Sequence, residues 1–194
     1  MTTPPARLPL RDTPRTYGLI TRTLHWTIAL LLLWQFLGMG LRIIFGRQPF
    51  VSFFVQWHQP VGTILFVLIV LRVIWALSNV SNRPPHGTGI RGLAVRVGHG
   101  LLYLAMLVIP SVALLRAWGS DRVFAPFGFQ IFDAKVPPID WTASLAGALH
   151  GELAWVLGVM IIGHVVMVAV HEGMWRDGTF ARMAGRVRGR TATH

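Results

Sequence analysis

Six of the eight histidines in this 194-residue chain fall inside long apolar stretches, where an ionisable side chain is costly and usually has a function. These six are His25, His58, His99, His150, His164 and His171. The chain has no cysteine, which excludes disulfides, iron–sulfur clusters and covalently attached haem. A neutral imidazole binds a metal without burying a charge and is a common axial ligand of haem iron. The histidines therefore predict chemistry at a metal, or proton transfer.

The spacing of two of these histidines is informative. His150 and His164 are 14 residues apart, so on a helix they lie within about 40° of one face and about 21 Å apart along the axis. One helix would then present an imidazole near each side of a membrane. Two haems stacked across the bilayer need this arrangement, with the partner ligands supplied by other helices.

The elements that must position these histidines are membrane helices. Hydrophobic residue types make up 53% of the chain and charged types 13%. A bilayer core about 30 Å thick needs roughly 20 apolar residues of helix. Four stretches qualify, at about 22–45, 53–77, 93–115 and 143–173. We therefore expect an all-α protein, an integral membrane four-helix bundle forming one domain over 1–194, with an outer loop at 116–142 and a basic tail at 176–194.

The distribution of positive charge predicts the orientation of the bundle. Twelve of the 18 lysines and arginines fall in the leading segment, the loop between the second and third spans, and the tail, whereas five fall in the two other loops. An excess of Lys and Arg marks the cytoplasmic side, so both termini should be cytoplasmic. This topology accounts for the net charge of +11. The chain lacks a soluble basic domain that could dock on a duplex, so we do not expect it to bind nucleic acid.

With this orientation, depth in the membrane predicts which histidines pair. His58 lies at the outward end of the second span, where it matches His150, and His25 lies near the inward end of the first, where it matches His164. Depth alone does not choose between His164 and His171 for the inner pair, and the 14-residue spacing favours His164. His99 and His171 then become candidates for a second site in the inner leaflet.

One arginine also falls within a span. Arg72 lies 14 residues after His58, on the same predicted face and at the level of the inner haem. A haem propionate is a suitable anion for a guanidinium at that depth. Snorkelling of Arg72 to the cytoplasmic interface is the alternative.

Short motifs in their order along the chain resemble those of the bacterial cytochrome b561 family, which includes the cytochrome b subunits of nickel–iron hydrogenases. The motifs are TLHW at the start of the first span, WHQPVG around His58, GHGLLYL around His99, LHGELAW around His150, the GH and VH pairs downstream, and WRDGTFARM after the last span. The resemblance runs from about Thr21 to Met183.

This resemblance implies an inner-membrane four-helix bundle that binds two b-type haems, with His25, His58, His150 and His164 as axial ligands. It also implies electron exchange with ubiquinone, and one relative in the family is a superoxide oxidase that reduces quinone. The chain is longer at its N-terminus than the family pattern and differs from it throughout the outer loop.

Three functions follow as hypotheses. The first is a di-haem cytochrome of a respiratory chain that carries electrons from a periplasmic donor, such as a dehydrogenase or hydrogenase partner, to ubiquinone. The second is an enzyme, a superoxide:ubiquinone oxidoreductase, with basic residues of the outer side attracting the anion. The third is a histidine-lined metal or proton transporter, which is disfavoured because acidic groups at mid-membrane are lacking.

Overall fold

The computed structural model describes residues 9–85 and 87–185. The predicted tail therefore lies partly outside the described residues, as do several of the arginines counted above. The helices are α1 (Leu19–Phe45), α2 (Pro49–Gln56), α3 (His58–Ser78), α4 (Gly89–Trp118), α5 (Asp140–Val170) and α6 (Thr179–Ala184). A 3₁₀ turn (Val80–Asn82) follows α3, and a π-helical turn (His171–Trp175) follows α5.

Four helical stretches are long and apolar enough to cross a membrane: Leu19–Phe45, Pro49–Ser78, Gly89–Trp118 and Asp140–Trp175. Leucine, isoleucine, valine and phenylalanine side chains are exposed along their outer surfaces, as expected where lipid is the solvent. The prediction of an all-α protein with four such helices is confirmed. The helices extend a few residues beyond the predicted spans, so the loop predicted at 116–142 is shortened to residues 119–139.

The second span is interrupted near its beginning, which the sequence analysis did not predict. Gly46, at φ 69°, ends α1 in a backbone conformation that side chains disfavour, and Pro49 begins α2. Trp57 separates α2 from α3. Pro60 lacks an N–H, so it cannot donate to the carbonyl of Gln56, and the helix restarts at His58.

The helices pack around a core formed by α1, α3 and α4. Ile28, Leu65 and Ile69 are buried at its centre, and Met106 and Leu107 of α4 pack against them. Helix α5 packs mainly on α4 and also meets α1, where Phe36 lies against Gly158. The close approach of α5 to α1 brings histidines of these two helices together.

Both ends of the described chain lie at one end of the bundle. The Arg22 side chain at the start of α1 donates from Nε to the carbonyl of Met183 (3.0 Å) and from Nη2 to that of Ala184 (2.9 Å). We call this the terminal end: it comprises the start of α1, the end of α3, the start of α4 and the end of α5. The opposite end, with residues 119–139, is the loop end.

Candidate functional site: two histidine clusters along the bundle

The first cluster lies toward the loop end and joins α3 to α5. The ring centroids of His58 and His150 are 6.0 Å apart, with their planes at 83°. His58 is the first residue of α3, which the restart after Trp57 places beside α5. His150 contacts α4 through its Nδ1, which lies 3.1 Å from the carbonyl oxygen of Ile109. A carbonyl only accepts, so Nδ1 of His150 carries the hydrogen and a neutral ring keeps its lone pair on Nε2.

The separation of the two rings fits a haem iron bound between them. An iron held by two imidazole nitrogens at about 2 Å each, by analogy with other metal–histidine bonds, puts the ring centroids about 6.3 Å apart. The observed 6.0 Å is close to this separation. An imidazole that binds a metal through one nitrogen is usually oriented by a hydrogen bond from the other nitrogen, and His150 donates such a bond to the carbonyl of Ile109. In addition, Nδ1 of His58 is buried without a hydrogen-bond partner among the described residues.

The second cluster lies toward the terminal end and contains three histidines. His164 of α5 has its ring centroid 6.4 Å from that of His25 in α1 and 5.6 Å from that of His99 in α4. Nδ1 of His99 lies 2.8 Å from the carbonyl oxygen of Val95, one turn earlier on its own helix. The structure therefore brings His99 into the same cluster as the predicted inner pair. The separation of His25 from His164 fits an iron between two imidazoles.

Among the described residues, the ring of His171 has no contact with the rings of this cluster. It lies on the π-helical turn, where its Nδ1 is 2.5 Å from Oδ2 of Asp177 and its ring meets that of Trp175 edge-on at 4.5 Å. His164 and His171 are thus in different surroundings. This difference favours His164 as the partner of His25.

Arg72 lies near the terminal end, between α1 and α4. Its Nε donates to the Tyr103 hydroxyl (3.1 Å), and its Nη1 donates to the carbonyl of Thr21 (3.2 Å). Thr21 also accepts a hydrogen bond from the indole of Trp75 (2.9 Å). The guanidinium is partly buried and has no carboxylate partner among the described residues. An anion such as a haem propionate would neutralise it, and its role stays a prediction.

Two polar residues that contact the histidines were missed by the sequence analysis. Gln35 on α1 donates from Nε2 to the carbonyl of His58 (2.9 Å) and so ties α1 to the start of α3. Its signal was a single amide within an otherwise apolar span. Asp177, which pairs with His171, had no comparable signal because it follows the predicted span and resembles an ordinary solvated residue.

The charge of Asp177 is stabilised locally. Partial burial on its own would raise the pKa of Asp177, but hydrogen bonds from Thr179 and His171 outweigh that effect and lower the pKa below its ordinary value. Oδ1 accepts from the backbone N–H of Thr179 (3.0 Å) and from its hydroxyl (2.6 Å). Asp177 therefore fixes the start of α6 and contacts His171 at the same time.

Two comparisons with known proteins bear on the family of this chain. The family model for prokaryotic cytochrome b561 matches residues 16–186, which is most of the chain. Cytochrome b561 homolog 2 of Escherichia coli (strain K12) is 29% identical over 177 residues, covering 90% of this chain and 94% of the relative. The matched region includes all six of the intramembrane histidines.

Proposed function

Because the chain belongs to the prokaryotic cytochrome b561 family, and is therefore a membrane cytochrome that binds haem b and transfers electrons, we propose that it binds two haems, one at each end of the bundle. His58 and His150 hold the haem near the loop end, and His25 and His164 hold the haem near the terminal end. The observation that carries this proposal is the pair of centroid separations, 6.0 and 6.4 Å, between histidines of different helices.

Held by two histidine side chains, a bound haem would supply one-electron transfer rather than oxygen chemistry. The contribution of the chain is to fix the two haems at different depths, since His150 and His164 are about 21 Å apart along α5. The surrounding apolar helices exclude water from both positions.

We further propose that the terminal end faces the bacterial cytoplasm and that the loop end faces the periplasm. The excess of arginine in the leading segment, the second-to-third loop and the tail supports this orientation. The contacts of Arg22 with Met183 and Ala184 agree with it, because they place both described chain ends on one side. Electrons then enter from a donor at the loop end and reach ubiquinone at the terminal end of a protein in the inner membrane.

Residues of the terminal end have two roles in this proposal. Arg72 binds a propionate of the inner haem, and its hydrogen bond to Tyr103 holds the guanidinium in place. His99 or His171 supplies hydrogen bonds or protons to quinone. Both residues lie at this end of the bundle, where reduction of quinone requires protons.

Superoxide is a second candidate for the electron donor. Five basic residues belong to the loop end, namely Arg42, Arg47, Arg116, Arg122 and Lys135. In the described part of the chain none of the five forms an ion pair, although three aspartates lie in the same region. The basic residues outnumber these aspartates by two, and this excess of positive charge would attract an anion to the haem of His58 and His150.

Absorption spectra of the purified protein test the haem assignment. We expect reduced b-type bands, a content of two haems per chain, and the loss of one haem on His58→Ala or His150→Ala. Absence of b-type bands would refute the proposal and leave the transporter hypothesis, and a haem content unchanged by both substitutions would refute the assignment of these ligands.

Stopped-flow kinetics test the donor. The oxidised protein is mixed with superoxide in the presence of a short-chain ubiquinone analogue, with superoxide dismutase as the control. Haem reduction faster than spontaneous dismutation, slowed by salt and by the double substitution Arg122→Ser, Lys135→Ser, supports superoxide as donor. A rate no faster than dismutation leaves a periplasmic protein as the donor.

A further inference from the structure

The carboxylate of Asp177 joins two separate structures at the terminal end of the bundle. One oxygen, Oδ1, accepts both hydrogen bonds from Thr179, whereas the other, Oδ2, contacts Nδ1 of His171 at 2.5 Å. The chain reverses direction between the two residues through the π-helical turn and through Arg176, at φ 49°. The aspartate is thus held by α6 while it faces the last turn of the fourth span.

This contact determines which nitrogen of His171 carries a hydrogen. An ionised carboxylate only accepts hydrogen bonds, and the pKa of Asp177 lies below its ordinary value. Nδ1 of His171 therefore donates, and Nε2 keeps the lone pair when the ring is neutral. No hydrogen bond to Nε2 is found among the described residues. The ring is oriented and its second nitrogen is available to a ligand.

Among the ionisable side chains of the described residues, His171 is the one that contacts this carboxylate. Arg182 donates to the backbone carbonyl of Asp177 (2.9 Å) and not to its side chain. Arg91 of α4 lies over the ring of Trp175, with Cζ 5.2 Å from the centroid. Glu172, the next residue after His171, makes no ion pair within the described part of the chain. Asp177 is accordingly the carboxylate that contacts the His171 ring.

From this geometry we propose that Asp177 is the positioning residue for His171 in the protonation of quinone. This inference rests on the proposed function and assigns one of its two candidate proton donors. His171 lies seven residues, or about 10 Å along a helix, beyond His164 toward the terminal end, which separates it from the haem ligands. The side chains of His171 and Asp177 are 19% and 37% exposed, so the pair can be reached from outside the bundle.

The proposed step is balanced as follows. Reduction of one quinone to quinol takes two electrons, which a bound inner haem would supply one at a time, and two protons. His171 donates a proton from Nε2 to a quinone oxygen, takes up another from water, and donates again. Throughout this cycle Nδ1 keeps its hydrogen, and Asp177 stabilises the positive charge that the ring carries between donations.

The experiment measures reoxidation of the pre-reduced protein by a short-chain ubiquinone analogue. We expect Asp177→Asn to lower the rate at saturating quinone by roughly 10- to 100-fold, the usual effect of losing such an orienting group, with little change in KM. The solvent deuterium isotope effect should increase because proton transfer becomes limiting. Haem content should be unchanged, and Asp177→Glu should recover part of the rate.

Thr179→Ala is the matched control, since it removes a hydrogen bond to the same carboxylate without touching His171. We expect its rate to stay near that of the wild type. An equal loss in Thr179→Ala and Asp177→Asn would show that Asp177 acts only through the fold of α6 and would overturn the inference. A wild-type rate and isotope effect in Asp177→Asn would also overturn it. If quinone does not reoxidise the wild-type haem, the proposed function itself fails, and this inference fails with it.

Discussion

Substituting His164 by alanine should remove one of two haems, whereas substituting His171 should remove neither. The two residues are seven positions apart and both are partly buried, so the pair is a matched comparison. His164 has its ring 6.4 Å from that of His25, close to the roughly 6.3 Å expected for two imidazoles on one iron. His171 instead uses Nδ1 in its contact with Asp177.

The expected magnitude follows from the number of ligands. Each haem has one ligand from α5, so His164→Ala should halve the haem content per chain and the reduced absorbance of the α band. Haem extracted into alkaline pyridine gives the content, and redox titration shows whether the remaining haem titrates as a single component. His171→Ala should keep both components.

The same assay resolves the third histidine of the cluster. His99 lies 5.6 Å from His164, nearer than two imidazoles sharing an iron require. His25→Ala should therefore lose a haem and His99→Ala should keep it. The reasoning is refuted if His171→Ala or His99→Ala halves the haem content while the corresponding His164→Ala or His25→Ala protein keeps two haems.

Three further predictions concern the fold at the two ends of the bundle. Arg22→Met should weaken the docking of α6 by about 2 kcal/mol, because two hydrogen bonds from a charged donor are lost. Amide hydrogen exchange in α6 should become faster, and unchanged exchange would contradict the prediction. Gly119→Ala should lower the thermal unfolding temperature and the free energy of unfolding, the latter by about 1–3 kcal/mol, because its Cβ would collide with the buried Thr142. Gly147→Ala is the control and should not lower either, since a Cβ at position 147 meets open space. Partial burial would raise the pKa of Asp177, but its hydrogen bonds hold the folded-state pKa below the ordinary 3.8. The contribution of these hydrogen bonds to the docking of α6 should therefore be complete above pH 3.8 and be lost as the pH falls below it. Amide exchange in α6 that accelerates already near neutral pH would argue against this.

The membrane helices and the paired histidines follow from local sequence. Long apolar stretches need only length and composition to be recognised, and the 14-residue interval between His150 and His164 fixes a common face without knowledge of the other helices. The pairing of His58 with His150 needed one more step, the alternation of spans across the membrane. The approach of these two rings in the structure is consistent with that reasoning.

Contacts that depend on irregular backbone could not be predicted in the same way. Asp177 reaches His171 because a π-helical turn and a left-handed residue reverse the chain, and neither has a periodic signal in the sequence. From the sequence, His171 is assigned to the fourth span at 143–173 and Asp177 to the basic tail at 176–194. The inner cluster raised a different difficulty, since depth places His25 and His99 at the same level and only the packing of α1 and α4 against α5 gives their separations from His164.

The contact between Arg22 and α6 has a consequence for biosynthesis. Arg22 is made early, yet the carbonyl that its Nε binds belongs to a residue 161 positions later in the chain. While the ribosome is still at work, the first helix must therefore rest in the bilayer with this guanidinium solvated by water or lipid headgroups. Synthesis of α6 supplies the missing acceptors, so this end of the bundle can close only after Met183 and Ala184 have been made.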